Sequence, residues 1–119
     1  MSSDRQTIEA FFRAMQSGAS AEADMMRLFA EDAIYIEPFT GTPQTHVGKH
    51  AILATMQAGW SHPLPDMTLS LDRVDIDGNE IRVAWTCRSP ALPGGSGRGV
   101  NTFSMRNGLI ARLETALIF

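Results

Sequence analysis

A glutamate at the end of a predicted strand is the residue of this sequence best placed to do acid–base chemistry. Residues 33–37 read Ala-Ile-Tyr-Ile-Glu and are followed by Pro38. Because the side chains of a strand alternate between its faces, Tyr35 and Glu37 share one face. A carboxylate held beside a phenol, on a rigid element with apolar neighbours, can accept a proton from a bound molecule. The alternative is a structural role for Glu37, at the rim of a pocket or as the partner of an arginine.

The cysteine and the histidines indicate less chemistry. Cys87, the single cysteine, continues the apolar alternation that begins at Ile81, which predicts a small buried residue and not a nucleophile. His46 and His50 have a spacing that occurs in metal sites, but Gly48 lies at a predicted helix start between them and no third ligand is in view. A zinc site needs three or four converging ligands, so we expect neither a metal nor a cofactor.

The composition argues against several classes of function. The chain has 119 residues, a net charge of −3 and 44% hydrophobic residues. Its ten Lys and Arg residues do not cluster, which argues against nucleic-acid binding. No run approaches the roughly 20 apolar residues of a membrane span, and the first residues lack the apolar run of a signal peptide. We expect one domain, residues 1–119, in a reducing cytoplasm.

The elements that must position this glutamate begin with helices. An apolar face at helical spacing predicts a first helix that ends at Gly18, and this face consists of Ile8, Phe11, Phe12 and Met15. A second, shorter helix is predicted from Ser20. A loop over residues 40–45 and a third helix from about Val47 follow, until two prolines stop that helix.

The second half of the sequence predicts four antiparallel strands, over residues 67–76, 80–88, 98–106 and 109–118. A change of phase near Asp72 predicts a bulge in the first of them. The dipeptides Asp77-Gly78 and Asn107-Gly108 predict tight hairpin turns. Helices followed by an antiparallel meander indicate the α+β class.

The last strand has apolar residues on both faces. Alternation assigns Leu113 to one face and Ile110 to the other, and it predicts that Arg112 and Glu114 pair on a shared face. An antiparallel sheet with one solvated face alternates more cleanly than this. We therefore expect the helices to cover one side of the sheet and a second copy of the chain, in a homodimer, to cover the other.

This order of elements resembles the SnoaL-like and ketosteroid isomerase-like branch of the nuclear transport factor 2-like superfamily, along essentially the whole chain. The resemblance implies a cone-shaped, curved, mixed or antiparallel sheet wrapped around N-terminal helices, as in the cystatin-like folds, with a deep apolar pocket. Members of the superfamily include isomerases, polyketide cyclases, dehydratases and proteins without catalysis, so the fold does not decide the function. The resemblance is carried by residues 16–18, 28–33, 37–38, 65–67, 77–78 and 107–110 together with Gly48 and Phe103.

The resemblance also assigns roles to single residues. Glu37, before Pro38, occupies the place of the general base of the ketosteroid isomerases, enzymes in which the surroundings of the carboxyl groups tune their pKa values. Their first-helix tyrosine corresponds here to Phe11, which cannot donate a hydrogen bond. Their protonated aspartic acid corresponds to Asn101, whose amide donates without any change of protonation; its alternative is a backbone cap near the loop. Alternation alone suggests Tyr35 as a substitute donor, or else as a core residue.

Two functions follow as expectations. The first is an enzyme that transfers a proton next to a carbonyl group, with Glu37 as base and Asn101 and Tyr35 holding the oxyanion. The second is a domain that binds a small hydrophobic molecule, or that dimerises, without catalysis. An epoxide hydrolase of this fold would need an Asp-Arg-Asp group that we cannot assemble. The longest loop in the second half of the chain covers residues 89–97, and the glycine-rich segment 93–99 is interpreted as a lip of the pocket. The predicted lining or core residues are Phe11, Met15, Trp60, Trp85, Phe103 and Met105.

Overall fold

The computed structural model describes residues 4–118 and places three helices and six strands in them. The helices are α1 (Asp4–Ser17), α2 (Glu22–Arg27) and α3 (Lys49–Trp60), with a short 3₁₀ turn at Gly18–Ala21 between the first two. The strands are β1 (Phe29–Glu37), β2 (Gln44–Val47), β3 (Thr68–Asp77), β4 (Glu80–Arg88), β5 (Ser96–Arg106) and β6 (Leu109–Ile118).

The strands form one curved, unclosed, mixed sheet in the order β2-β1-β6-β5-β4-β3. All neighbours are antiparallel except β1 and β6, which run parallel. The α+β class and the curved sheet with N-terminal helices are therefore confirmed.

Local turn chemistry sets the ends of the long strands. At the last hairpin Asn107 and Gly108 both have positive φ, 54° and 78°, the combination that a type I′ turn requires. Glycine and asparagine adopt this region at low cost. The predicted bulge in β3 is confirmed, because the pairing with β4 skips Asp72 between Leu71 and Arg73.

The core lies between α1 and the inner face of the sheet. Phe103 of β5 is fully buried, and its ring lies 5.2 Å from that of Phe11 at an angle of 78°. Phe12 contacts the same ring edge-on at 6.1 Å. Each such edge-to-face pair stabilises the fold by about 0.5–1.5 kcal/mol beyond the contribution of the apolar area that it buries. The apolar face of α1 predicted from its spacing is thus the face that packs on the sheet.

Two expectations are wrong. Residues 44–47 form strand β2 and not part of a loop and a helix, and α3 begins at Lys49. This strand exists because it pairs with β1, and its own polar residues do not predict that pairing. Ile110 lies on the inner face together with Leu113, since both are fully buried. A shift of register at Ala111 inserts one residue and reverses the alternation.

Candidate functional site

A cavity of about 670 Å³ opens between α1 and the inner face of the sheet. Its walls are mainly apolar, which suits a hydrophobic molecule. Part of the predicted lip lies at this cavity, because Pro93, Ser96, Gly97 and Arg98 line it, as does the neighbouring Leu92. Other lining residues include Phe11, Phe12, Met15, Phe39, Leu64, Met67, Leu69, Trp85 and Leu117.

A row of polar side chains crosses the inner face of four neighbouring strands at this cavity. Tyr35 of β1, Thr115 of β6, Asn101 of β5 and Trp85 of β4 all line it, and we call these four residues the polar row. Asn101 and Thr115 stand directly opposite each other in the register of β5 and β6. All four residues are buried in the protein, so their polar groups face one another or the cavity and not bulk water.

Tyr35 is held in its protonated form. Burial raises the pKa of the phenol well above its usual value, and the negative charge of Glu37 raises it further. A hydrogen bond with the Thr115 side chain acts in the opposite direction but does not reverse the shift. At neutral pH Tyr35 is therefore an uncharged phenol that can donate a hydrogen bond.

Asn101 is oriented by Trp85. The indole Nε1 of Trp85 donates to Oδ1 of Asn101 over 3.0 Å, and both side chains are buried. The described residues give the amide nitrogen of Asn101 no partner. Within residues 4–118, every side-chain nitrogen or oxygen that is fully enclosed has a hydrogen-bond partner. Because the amide nitrogen of Asn101 has none, it is not enclosed, and it is open to the cavity that Asn101 lines. The residue therefore offers N–H donors to a bound molecule.

Glu37 is buried beside this row but is not among the residues that line the cavity. Its Oε1 accepts the backbone N–H of Phe39 over 2.9 Å, and its Oε2 lies 2.9 Å from Nε2 of His46. The predicted shared face with Tyr35 agrees with this placement, since both side chains are buried. The partner that compensates the buried carboxylate is a histidine and not an arginine.

His46 is a site residue that the sequence reasoning missed. It stands opposite Tyr35 in the pairing of β1 and β2, with its ring 6.0 Å from the phenol ring. Thr55 of α3 contacts the imidazole through its hydroxyl, 3.0 Å from Nδ1. Recognising a hairpin of β1 and β2 in the sequence would have found this histidine, because that pairing places residue 46 on the same face of the sheet as Tyr35 and Glu37.

The predicted lining residues separate into two groups. Phe11, Met15 and Trp85 line the cavity. The structure places the other three outside its lining. Phe103 packs into the core against α1, and Met105 is buried opposite Ile110. Trp60 lies at the end of α3 beside Gly18, where a Cβ atom at position 18 would be 3.7 Å from the indole ring.

Among the described residues that line the cavity, Arg98 alone is charged. Burial raises the pKa of the Cys87 thiol, so this lining residue is a protonated thiol at neutral pH. Within residues 4–118 no three His, Cys, Asp or Glu side chains converge as metal ligands would. None of the helices described is long and apolar enough to cross a membrane.

A second hollow, of about 510 Å³, lies on the outside of α1 and α2. It is lined by small residues and Leu28 together with Arg13, Asp24 and Arg27, and Asp24 and Arg27 pair with each other. None of the predicted site residues lines it. The cavity on the inner face of the sheet is therefore the candidate site.

Comparison with known proteins agrees with this architecture. A protein from Kribbella flavida, provisionally named a ketosteroid isomerase, is 22% identical with a TM-score of 0.77, and the match covers 98% of this chain and 78% of that one. A protein from Sinorhizobium meliloti, provisionally named a polyketide cyclase, is 23% identical with a TM-score of 0.76, over 92% and 93% of the two chains.

An NTF2-like protein of unknown function from Burkholderia pseudomallei is 22% identical with a TM-score of 0.81, over 99% and 92% of the chains. At these identities the likeness shows the fold. No curated relative matches the sequence significantly. The SnoaL-like domain family, in contrast, matches residues 8–113, which is most of the chain. The chain therefore belongs to the SnoaL-like domain family.

Proposed function

We propose that this protein binds a hydrophobic molecule through a carbonyl oxygen in the cavity and transfers a proton at the adjacent carbon. The observation that carries the proposal is the polar row: uncharged donors, Tyr35 and Asn101, set into walls that are mainly apolar but also include Arg98. Donors in a site with little water stabilise a developing oxyanion more strongly than they would in water. The reactions of this type are isomerisation, aldol-type cyclisation and dehydration, none of which requires a cofactor or a metal.

The proton acceptor in this proposal is Glu37. Its carboxylate takes a proton from the carbon next to the carbonyl. The electron pair of that C–H bond forms a C=C bond, and the π pair of the carbonyl moves to the oxygen. The Tyr35 hydroxyl and the Asn101 amide donate to the resulting enolate oxygen. The protonated Glu37 then returns its proton to a second carbon. Alternatively the enolate carbon attacks the carbon of another carbonyl group of the same molecule, the π pair of that group moves to its oxygen, and this oxygen takes the proton from Glu37.

Glu37 must reach the substrate for this step. Its Oε1 is engaged by the N–H of Phe39, whose exposed side chain lines the cavity. A movement of the chain at Phe39 would release Oε1 and would shift a residue that lines the cavity. Oε2 meanwhile keeps its contact with His46, which holds the carboxylate near the face of Tyr35.

The second candidate is a binding protein without catalysis. The observation in its favour is that both oxygens of Glu37 are already hydrogen-bonded and that Glu37 does not line the cavity. In that case the carboxylate has a structural role in holding β1, β2 and the Phe39 segment together, and the cavity and its donors serve binding alone.

Deuterium exchange distinguishes these candidates. We would incubate 2-acetylnaphthalene, a flat hydrophobic ketone, with the protein in D₂O and follow deuterium entering its methyl group by mass spectrometry. The proposal expects exchange above the buffer rate, lowered about 100-fold or more by Glu37→Gln. The matched control is Glu114→Gln, which changes an exposed carboxylate of β6.

Exchange that persists in the Glu37→Gln variant would overturn the mechanism. Binding of the ketone without exchange in the unchanged protein would select the second candidate. If the ketone does not bind at all, binding through a carbonyl oxygen is itself wrong.

The homodimer and the cytoplasmic location stay predictions. The outer face of the sheet carries half-buried Ile34, Ile36 and Val100, which supports a second copy packing there. Light scattering at micromolar concentration should then give twice the mass of the chain, and a monomeric mass would contradict the dimer.

A further inference from the structure

We infer that Trp85 and Gly99 are positioning residues that make Asn101 a hydrogen-bond donor toward the cavity, so that the site selects oxygen acceptors over apolar groups of the same shape. The inference rests on the proposed binding of a carbonyl oxygen and adds the residues that determine this preference. It concerns the residues that orient the Asn101 amide, and it does not depend on whether Glu37 is a base.

The chemistry of the indole decides the orientation of the amide. An asparagine side chain has an oxygen that accepts and a nitrogen that donates, and these two ends are nearly equal in shape. The Trp85 indole is a donor only, so the atom of Asn101 that faces it must be the oxygen. At 3.0 Å, with both side chains buried, this contact keeps the amide from turning over. The nitrogen of Asn101 is thereby left for the cavity.

Gly99 makes this contact sterically possible. It stands opposite Trp85 in the pairing of β4 and β5 and is itself buried. A Cβ at position 99 would lie 2.3 Å from Cζ2 and 2.8 Å from Cε2 of the indole, closer than real Cβ atoms come. The indole therefore lies directly on the backbone of β5. Any larger residue at position 99 would move the ring and with it the Nε1–H that holds Asn101.

The same strand offers a matched comparison. Gly97 is also on the inner face of β5, two residues away, and it lines the cavity. A Cβ built there has its nearest contact at 4.0 Å, to Cδ1 of Leu92, which is ordinary van der Waals distance. A methyl group at position 97 thus narrows the cavity without moving Trp85.

A pair of probes reads out the donor. 2-Acetylnaphthalene and 2-isopropylnaphthalene have nearly the same shape, but only the first carries an oxygen acceptor. Calorimetric titration of both gives a ratio of dissociation constants. One hydrogen bond to a buried donor is expected to favour the ketone about 3- to 10-fold in the unchanged protein.

The variants then separate positioning from mere packing. Trp85→Phe keeps a ring but removes the N–H, and Gly99→Ala displaces the ring, so both should lower the ratio to the smaller preference that Tyr35 alone supports. Gly97→Ala should weaken both probes to a similar extent and leave the ratio unchanged. A ratio that survives in Trp85→Phe and Gly99→Ala would overturn the inference, and a ratio of one in the unchanged protein would do so as well.

A second measurement tests the geometry without any ligand. The chain has two tryptophans, so its ¹H–¹⁵N spectrum contains two indole signals. The Nε1–H of Trp85 should exchange slowly with solvent and become at least about 10-fold faster in Asn101→Leu, while that of Trp60 is unchanged. If neither naphthalene binds, the proposed function fails, and this exchange still decides the positioning of Asn101. An unchanged Trp85 signal in Asn101→Leu would refute the Trp85–Asn101 contact.

Discussion

Separating His46 from Glu37 should destabilise the fold measurably, because their contact is largely buried. The carboxylate side chain is 5% exposed and the imidazole 22%, and Oε2 lies 2.9 Å from Nε2. Hydrogen bonds to a charged group contribute about 1.5–3 kcal/mol to stability. We therefore expect a coupling energy of about 2 kcal/mol between the two side chains, against a total stability of about 5–15 kcal/mol for a domain.

A double-mutant cycle isolates this energy. His46→Ala, Glu37→Ala and the double variant are unfolded with urea at neutral pH, and the free energies of unfolding are compared. With an m-value of about 2 kcal/mol/M, the coupling alone corresponds to a shift of about 1 M in the urea midpoint. The cycle cancels the loss of packing that each single alanine causes, provided that the m-values agree.

The matched control is the pair of Arg112 and Glu114, whose side chains are 43% and 47% exposed at 3.1 Å. This predicted pair exists, but exposed ion pairs contribute only about 0.2–1 kcal/mol. If the coupling of His46 and Glu37 is no larger than that of the control pair, the buried carboxylate is not stabilised by the imidazole. The reasoning about how β1 and β2 hold Glu37 would then be refuted.

Two further predictions concern the core and the polar row. Phe103→Ala should lower the free energy of unfolding by about 3–5 kcal/mol, because its ring is fully buried against Phe11 and Phe12. The control is Phe39→Ala, which removes an exposed ring and should lower the free energy of unfolding by less than about 1 kcal/mol. Equal losses in the two variants would contradict the packing described. Tyr35 is the single tyrosine of the chain, so ultraviolet absorbance of tyrosinate reports it alone. Because its pKa is raised in the folded state, the native protein should show no tyrosinate at the pH of about 10 where the urea-unfolded chain titrates, and stability should be lost as the pH rises beyond that value. Native titration near pH 10 would contradict a buried phenol.

Local chemistry made some elements predictable and left others out of reach. The bounds of β4 and β6 are those expected, because glycine and asparagine turns define where each strand starts. Strand β2 was missed because its existence depends on pairing with β1 and not on its own residues. Ile110 was assigned to the wrong face because alternation holds only while the register has no inserted residue.

The candidate site shows the same division. Alternation along one strand was enough to place Glu37 and Tyr35 on a shared face, since that relation is built into the geometry of a strand. The resemblance and the alternation named Tyr35, Asn101 and Trp85 of the polar row but not Thr115. How the four side chains meet depends on the order and register of the sheet, because they come from four strands. The same holds for His46, which meets Thr55 and Glu37 through β2 and α3.

By itself the sequence determined the residue types available for chemistry, the faces of single elements, the turns and the family. These depend on short stretches of chain or on an ordered pattern of such stretches. The tertiary structure decided which of those residues meet: it turned Asn101 toward the cavity through Trp85, enclosed Tyr35, and tied both oxygens of Glu37 to His46 and Phe39. Hydrogen bonds and burial between distant residues depend on the register of the whole sheet, and no local pattern encodes that register.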